Sequence, residues 1–240
     1  AAPYAQAECP WASYAIFEAR GAIGGTWDLF RYPGVRSDSD MFTLGYPFRP
    51  WKSSRMIVDG DSIRHYIEET AAEEGIDAHI RFHHRIVRAA WSTDDACWHV
   101  TAERTDTGET VEVTCGFLLS CSGYYRYDHG YQPEFAGLDR FQGDFVHPQH
   151  WPQDLEVAGE RVVVIGSGAT AVTLVPSLAE RGADVTMLQR SPTYIASVPA
   201  KNPIVAAAQR VLPDQLAGAA VRWAHALGTQ AMYQVSQRYP

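Results

Sequence analysis

Short apolar runs alternate along this chain with helical patterns and with stretches of turn-forming residues, which predicts an α/β protein. The clearest apolar run is residues 161–165, where four branched apolar side chains follow an arginine. A helical pattern follows at about 169–181, and a second strand is predicted at 184–189. Because strand–helix–strand crossovers join parallel strands with a right-handed connection, this region predicts a compact β-α-β unit.

The first half of the chain shows the same alternation with longer loops. Residues 14–18 predict a buried parallel strand, and residues 20–50 form a turn-rich loop with many glycines and prolines. A helix capped by Asp61 or Ser62 and ended by Gly75 is predicted next. Further strands are predicted at 85–91, 98–103, 110–114 and 117–121, with a hairpin turn at 106–108. After a loop at 123–154 and the β-α-β unit, the tail from Pro203 onward predicts helix divided at Pro213.

Composition and charge exclude several classes of function. The 240 residues are 46% hydrophobic and 20% charged, which is typical of a globular protein. A net charge of −8 argues against a nucleic-acid partner, because no basic surface is available to neutralise phosphates. No window is apolar enough to predict a membrane span. The four cysteines show neither C-x-x-C nor zinc-ligand spacing, so we expect reduced thiols, a cytoplasmic protein and no metal site.

A glycine-rich loop carries the clearest chemical signal. It stands between the predicted strand and helix of the β-α-β unit and has the dinucleotide-binding pattern G-x-G-x-x-A: Gly166, Ser167, Gly168, Ala169, Thr170 and Ala171. The first glycine permits a tight turn, and the second lets a pyrophosphate approach the backbone at the helix N-terminus. The small Ala171 permits close packing of the helix on the strand.

The end of the next strand indicates which nicotinamide cofactor is bound. An NAD site places Asp or Glu there to bind the ribose 2′-hydroxyl, whereas this strand ends in Gln189, Arg190 and Ser191. Arg190 can pair with a 2′-phosphate through its guanidinium group, and Ser191 can donate a further hydrogen bond. The pattern favours NADPH; the alternative is that Arg190 is a solvated surface residue.

Glu18 gives the opposite indication at the end of the first predicted strand. An acid in this place suits the ribose of FAD or NAD. No glycine loop precedes it, however, and residues 1–13 fit the end of a helix that would follow one. Two interpretations stay open: the glycine loop lies before the present sequence, or Glu18 is an ordinary acid at a strand end.

Three segments together resemble the Baeyer–Villiger group of FAD- and NADPH-dependent flavoprotein monooxygenases, and most closely its ethionamide-activating members. One is the flavin-contacting stretch 24–38, and another is the strand-end segment 121–125. The third matches the family fingerprint F-x-G-x-x-x-H-x-x-x-W-P at every fixed position: Phe141, Gly143, His147, Trp151 and Pro152. The resemblance covers essentially the whole chain.

The resemblance implies a role for individual residues. Glu18 would bind the adenosine ribose of FAD, and Ile86 would meet its adenine through the backbone. The flavin would be lined by Thr26, Trp27, Asp28 and Leu29. Arg36, Ser37 and Asp38 would lie where nicotinamide meets flavin, with Arg36 and Asp38 as catalytic residues and a cation beside Asp38. NADPH would be held by residues 166–172, which end in Val172, together with Arg190 and Ser191.

The resemblance also implies the reaction. Such enzymes use NADPH and O2 to insert or add one oxygen atom through a peroxyflavin. They convert ketones to esters or lactones, and they oxygenate sulfides or thioamides at sulfur. A nitrogen- or sulfur-oxygenating flavin-containing monooxygenase is the nearest alternative, and a non-catalytic NADP-binding module is the alternative for this stretch alone. His147 is either a packed structural residue or a proton carrier.

The resemblance finally implies two Rossmann-like dinucleotide-binding domains, with the NADPH domain inserted in the FAD domain. Residues 1–140 would belong to the FAD-binding domain, 141–158 to a linker with the fingerprint, 159–200 to the NADPH-binding unit and 201–240 to a helical segment. We expect the chain to be truncated at both ends, with the FAD glycine loop before Ala1 and the catalytic arginine of the family beyond Pro240. The sequence leaves open whether the protein also associates with a membrane and which oligomeric state it has.

Overall fold

The computed structural model describes residues 1–192, 195, 205, 207 and 210–239. In this part of the chain, the α-helices with described bounds are α1 (Ala2–Glu8), α2 (Thr26–Leu29), α3 (Met41–Leu44), α4 (Gly60–Glu73), α5 (Ala169–Glu180) and α6 (Asp214–Arg238). Residues 205, 207, 210 and 211 are also helical. The strands are β1 (Ile16–Phe17), β2 (Ile80–Arg81), β3 (His84–Ser92), β4 (Cys97–Arg104), β5 (Thr110–Cys115), β6 (Arg161–Ile165) and β7 (Asp184–Leu188). The protein therefore mixes helices and strands, as predicted.

The chain divides into two compact units. The first contains Ala1–Leu29 and Ile63–Asp139, and the second contains Phe30–Ser62 and Arg140–Pro240. The flavin-contacting stretch predicted at 24–38 is therefore shared between the units, with its division after Leu29.

The first unit contains a parallel strand pair and an antiparallel meander. Strand β1 pairs with β2 in parallel, and β4 pairs with both β3 and β5 in antiparallel register. The central strand β4 buries Val100 and Ala102, two positions apart, because alternate side chains of a strand share one face. The predicted hairpin turn is confirmed between β4 and β5, where Gly108 has a φ of +76°.

Helix α4 begins earlier than the sequence predicts. Its cap is Asp59, whose Oδ1 accepts a hydrogen bond of 2.8 Å from the backbone N–H of Ser62. The prediction of Asp61 or Ser62 as the cap is therefore wrong, because Ser62 is the donor of the capping bond. The prediction that Gly75 ends the helix is confirmed: Gly75 has a φ of +64°, and the next residue donates to the carbonyl of Ala71 at 2.8 Å.

The second unit contains the predicted β-α-β unit. Strands β6 and β7 pair in parallel from Arg161 opposite Asp184 to Ile165 opposite Leu188. Helix α5 connects them and buries Ala171, Leu174 and Leu178. The predicted bounds of this unit are confirmed to within one residue at each end.

Helix α6 packs on the segment around α3 within the same unit. Phe42, Val205 and Val221 form a buried cluster, against which Trp51 and Met56 pack. The Arg222 guanidinium donates to the carbonyl oxygens of Thr43, at 3.2 Å, and of Gly45. Thr43 lies in the last turn of the short helix α3 and Gly45 is its C-cap, so Arg222 satisfies acceptors that a helix end leaves unpaired. The predicted division of the tail at Pro213 is confirmed, since α6 begins at Asp214; most of the tail between 193 and 209 lies outside the described residues.

Two predicted strands differ from the structure. The strand predicted at 14–18 is only Ile16–Phe17, and it is half-buried rather than buried. The strand predicted at 117–121 is wrong, since the described backbone has no strand pairing there and Phe117 is 81% exposed. A strand requires backbone hydrogen bonds to a neighbour, and an apolar run does not supply them. Among the described helices, none is both long and apolar enough to cross a membrane.

Candidate functional site

The loop between β6 and α5 is an open turn. Gly166 has a φ of +133°, which residues with a side chain rarely adopt, and its N–H donates to the carbonyl of Leu188 at 2.9 Å. A Cβ built at Gly166 or Gly168 would meet no described atom within 4 Å. Gly168 has a φ of −77°, so neither its conformation nor packing within the described chain requires glycine. The space beside it is free for a ligand that approaches the backbone.

The N-terminus of α5 faces this loop without a capping side chain. Gly168 occupies the N-cap position, so no side chain there accepts a hydrogen bond from the first N–H groups of the helix. The first backbone N–H groups of a helix have no partner inside the helix, and the helix dipole gives this end a partial positive charge. Ala171 is buried, as expected for a helix packed closely on its strand. The arrangement can accept a phosphate or another anion.

The end of β7 lies beside the same loop. The Ser167 hydroxyl donates to the backbone carbonyl of Ser191 at 3.2 Å. Arg190 is exposed and forms no ion pair with any residue that the structure describes. Its guanidinium is therefore available to an anion near the glycine loop. The hydrogen bond between Ser167 and Ser191 joins the glycine loop to the predicted residues at the end of β7.

The turn at 24–29 is shaped by two glycines. Gly24 and Gly25 have φ angles of +121° and +52°, and α2 begins at Thr26 immediately after them. The N–H of Trp27 donates to the carbonyl of Gly24 at 3.0 Å, and that of Leu29 donates to Gly25 at 2.9 Å. Asp28 forms an ion pair with Arg20. The predicted residues Thr26, Trp27, Asp28 and Leu29 thus lie on one helical turn.

Glu18 follows β1, and its carboxylate accepts a hydrogen bond of 2.9 Å from the backbone N–H of Arg20. Its own N–H donates to Arg81 and its carbonyl accepts from His84, which holds the strand end against β2 and β3. Ile86 lies in β3, the first strand of the meander, where the pairing with β4 shifts register between Ile86 and Arg88. Such a bulge re-aims backbone groups.

The segment of Arg36, Ser37 and Asp38 belongs to the second unit. The backbone of Arg36 bridges Asp59, and the N–H of Ser37 donates to the carbonyl of Val58 at 3.0 Å. The buried Ser37 hydroxyl donates to the carbonyl of Ser39 at 2.9 Å. Arg36 and Asp38 are exposed, and in the described part of the chain no cation pairs with Asp38. Within the described residues, Asp38 is thus an exposed carboxylate, and no described residue supplies the cation expected beside it.

The fingerprint residues form a loop around a short 3₁₀ helix, Pro148–His150. His147 caps this helix: its Nδ1 accepts a hydrogen bond of 3.2 Å from the backbone N–H of Gln149. Burial, and after it the neighbouring His150, lowers the pKa of His147 below its ordinary value of 6.5. These contacts favour a neutral imidazole in a structural position.

The other fingerprint residues are more accessible. Phe141 is exposed, and its ring would lie 2.7 Å from a Cβ at Gly143, so the glycine makes room for the ring. Trp151 is half-buried and follows the 3₁₀ helix, while Pro152 is exposed. In the described ranges, no group of three or more His, Cys, Asp or Glu side chains is arranged to hold a metal ion.

The predicted site residues fall into two groups. Glu18, Thr26, Trp27, Asp28, Leu29 and Ile86 belong to the first unit, and the other predicted residues belong to the second. Two residues that contact the first group, Arg20 and Tyr127, were not identified from the sequence patterns. The Arg20 guanidinium lies 5.8 Å from the Tyr127 ring centroid, and the Tyr127 hydroxyl lies 3.3 Å from the position of a Cβ at Gly25. Tyr127 is about a hundred residues from this turn along the chain, so no local pattern could place it there.

Comparison with known proteins places these observations in a family context. The model of the family described as flavin-binding monooxygenase-like matches residues 43–206. The chain is 55% identical over 236 residues to the FAD-containing monooxygenase EthA of Mycolicibacterium smegmatis, which covers 98% of this chain. This chain therefore spans about half (48%) of the length of that relative.

Solved structures give a consistent result. A steroid monooxygenase bound to NADP is 32% identical, with a TM-score of 0.68, over 80% of this chain and 37% of that protein. A complex of OTEMO with FAD and NADP is 30% identical, with a TM-score of 0.65, over 79% of this chain and 36% of that protein.

Proposed function

This chain belongs to the flavin-binding monooxygenase-like family, and from that membership we propose that it supplies FAD- and NADPH-binding parts of a monooxygenase. The complete enzyme would use NADPH and O2 to add one oxygen atom to a small organic substrate. The similar proteins named above include an FAD-containing monooxygenase and a structure with both FAD and NADP, which supports this pair of cofactors.

The observation that carries the proposal is the open glycine loop before α5. Gly168 leaves room that the described chain does not use, and the helix begins without a side-chain cap. The residues present therefore fit a pyrophosphate. We assign residues 166–172 to the NADPH pyrophosphate, and Arg190 with Ser191 to the 2′-phosphate. The hydrogen bond from Ser167 to Ser191 would keep these two parts of the site together.

The first unit fits FAD on a separate observation. The Nε of Arg20 is buried and has no hydrogen-bond partner in the described chain, beside the turn that carries Trp27 and Asp28. We assign Glu18 to the adenosine ribose, Ile86 to the adenine through its backbone, and Thr26–Leu29 to the flavin. Bound FAD would supply the redox chemistry, and the protein would bind and orient it.

The segment Arg36–Asp38 would contribute to the reaction where nicotinamide and flavin meet. Backbone bonds to Val58 and Asp59 hold this segment, while the side chains of Arg36 and Asp38 stay exposed. We propose that these two charges orient the cofactors. The substrate would be a ketone oxidised to an ester or lactone, or a sulfide or thioamide oxygenated at sulfur, as in the Baeyer–Villiger group that the fingerprint resembles.

We keep as a proposal the domain assignment that the family resemblance implies, although Phe30–Ser62 pack in the second compact unit. Residues 1–140 would serve FAD, 141–158 would be a linker, 159–200 would serve NADPH and 201–240 would be a helical segment. The four free cysteines and the use of NADPH support a cytoplasmic location.

A spectroscopic experiment tests the proposal. Protein expressed from its complete gene is purified, its absorbance spectrum is recorded, and NADPH is added without oxygen. We expect a yellow protein whose flavin band is bleached by NADPH and returns in air. A colourless protein that binds NADPH and never retains FAD would contradict the proposal and support a bare NADP-binding module.

A further inference from the structure

The backbone of Arg20 is fixed on both sides directly after β1. Its N–H donates to the Glu18 carboxylate at 2.9 Å, and its carbonyl accepts from the N–H of His83 at 3.1 Å. The Thr105 hydroxyl donates to the carbonyl of the preceding residue, Ala19, at 3.0 Å. The main chain of Arg20 is therefore attached to the meander, and it orients the carboxylate assigned to the FAD ribose.

The side chain of Arg20 reaches the other proposed FAD contact. Its Nη2 forms an ion pair with Oδ2 of Asp28, whose side chain is only 10% exposed against 28% for Arg20. Its guanidinium also lies 5.8 Å from the ring centroid of Tyr127, within cation–π range. One residue thus connects the end of β1 with the glycine turn and α2.

One buried nitrogen of this guanidinium has no acceptor in the described chain. The Nε of Arg20 is buried and has no hydrogen-bond partner in the part of the chain that the structure describes. A buried donor without an acceptor is unfavourable, and such groups are rare in folded proteins. The neighbouring Nη2 donates to Asp28, whereas the buried Nε lacks an acceptor, which indicates that a bound molecule brings one.

We propose that Arg20 positions FAD. Its backbone and its Nη2 fix Glu18 and Asp28 relative to each other, and its Nε–H donates to an oxygen atom of the bound cofactor. The inference rests on the proposed function, because it requires that this unit binds FAD.

Two substitutions separate the contributions of Arg20. Arg20→Lys keeps a positive charge for Asp28 but has no Nε donor. Arg20→Met, made in an Asp28→Asn background, removes the guanidinium where the ion pair is already absent. We expect each change to raise the FAD dissociation constant of its parent about 10- to 100-fold, which is typical for the loss of a charge-assisted hydrogen bond. Arg104→Met is the matched control, since Arg104 pairs with Asp106 in the hairpin turn.

The dissociation constant is measured by titrating apoprotein, expressed from its complete gene, into FAD and following flavin fluorescence. The visible circular dichroism of bound flavin is the second readout, and we expect it to change in Arg20→Lys while far-ultraviolet dichroism stays unchanged. If both substitutions leave the dissociation constant of their parents and the flavin dichroism unaltered, the role of Arg20 is overturned. A wild-type protein that binds no FAD contradicts the proposed function itself.

Discussion

Gly34 packs against Ser177 of helix α5, so closely that a Cβ at residue 34 would lie 2.1 Å from the Ser177 Oγ. The same Cβ would lie 2.8 Å from the carbonyl oxygen of Thr173, and Gly34 has a φ of +79°. The turn that leads into Arg36–Asp38 therefore rests on the helix whose N-terminus is assigned to NADPH. Both features belong to the second unit.

The first prediction is that Gly34→Ala destabilises the protein strongly. The positive φ costs an alanine about 1 kcal/mol or more, and the clash with Ser177 and Thr173 adds about 1–3 kcal/mol. Gly108→Ala is the control, since Gly108 has a similar φ of +76° and a Cβ there meets nothing within 4 Å. Urea unfolding measures both variants. Equal losses in free energy of unfolding would show that the contact with α5 contributes nothing.

Two glycines inside α6 make a second matched pair. A Cβ at Gly218 would lie 2.5 Å from the Cβ of Pro50, whereas a Cβ at Gly228 meets nothing within 4 Å. Alanine is favoured over glycine in a helix by about 1 kcal/mol, so Gly228→Ala should stabilise the protein. Gly218→Ala should destabilise it, because the proline ring cannot move aside as a flexible side chain can. Thermal unfolding measures both, and stabilisation by both variants would contradict the packing of α6 on Pro50.

The sequence predicted local structure well where one pattern dominated. Residues 161–188 form their strands and helix close to the predicted bounds, because four consecutive branched apolar residues and a glycine loop specify strand and helix start independently. The run at 117–121 is as apolar but forms no strand in the described chain. Strand β2, of two residues, has no periodicity to detect and exists through its pairing with β1.

Contacts distant along the chain could not be predicted at all. The residues assigned to the cofactors were found from glycine spacing and from a fingerprint, which are local signals. Arg20, Tyr127 and the contact of Gly34 with Ser177 depend on tertiary packing, and nothing in the spacing of these residues distinguishes them from surface residues. The cation expected beside Asp38 stays a prediction: it was inferred from site chemistry, and within the described residues no ion pair to Asp38 is formed.

The cap of α4 gives a prediction that depends on pH. Burial raises the pKa of Asp59, but the hydrogen bonds from Ser62 outweigh it, so the pKa lies below its ordinary value of 3.8. Asp59→Ala should cost about 1 kcal/mol near neutral pH, and Asp59→Asn less, because an amide oxygen still accepts from Ser62.

The sign of this pH effect follows from the lowered pKa of Asp59. The stabilisation by the carboxylate is complete above pH 3.8 and is lost as the pH falls through the lower pKa of the folded state. The difference between wild type and Asp59→Ala should therefore shrink in acid. Chemical unfolding along a pH series measures it, and a difference that stays constant into strong acid would refute the capping role of the charge.

Arg190 is predicted to select the nicotinamide cofactor. Its exposed guanidinium has no ion pair with any described residue, so it can bind a 2′-phosphate without first breaking another contact. Arg190→Ala should weaken NADPH binding about 10- to 100-fold and leave NADH binding unchanged. Arg181→Ala, at an exposed arginine that follows α5, is the control. Dissociation constants for both nucleotides measure the effect, and an equal loss for NADH would assign Arg190 to general structure.

His147 distinguishes a structural role of the fingerprint from a catalytic one. Its Nδ1 accepts from Gln149, and its pKa is lowered by burial and then by His150, so the folded state keeps the ring neutral. The unfolded chain takes up the proton first, near pH 6.5, and the protein should lose stability as the pH falls below that value. His147→Asn keeps an acceptor for Gln149 but cannot titrate, so its stability should depend less on pH.

The same substitution tests the chemistry. If His147 only caps the 3₁₀ helix, His147→Asn should keep the rate of substrate-dependent NADPH oxidation within a few-fold of wild type, whereas loss of a proton carrier costs about 100-fold or more. His147→Ala, which removes the acceptor, should lose about 1 kcal/mol of stability. Steady-state assays at about pH 8, where the ring is neutral in any case, compare the variants without the titration. A large loss of turnover in a stable His147→Asn protein would indicate that the imidazole of His147 takes part in catalysis, because the asparagine would still cap the 3₁₀ helix.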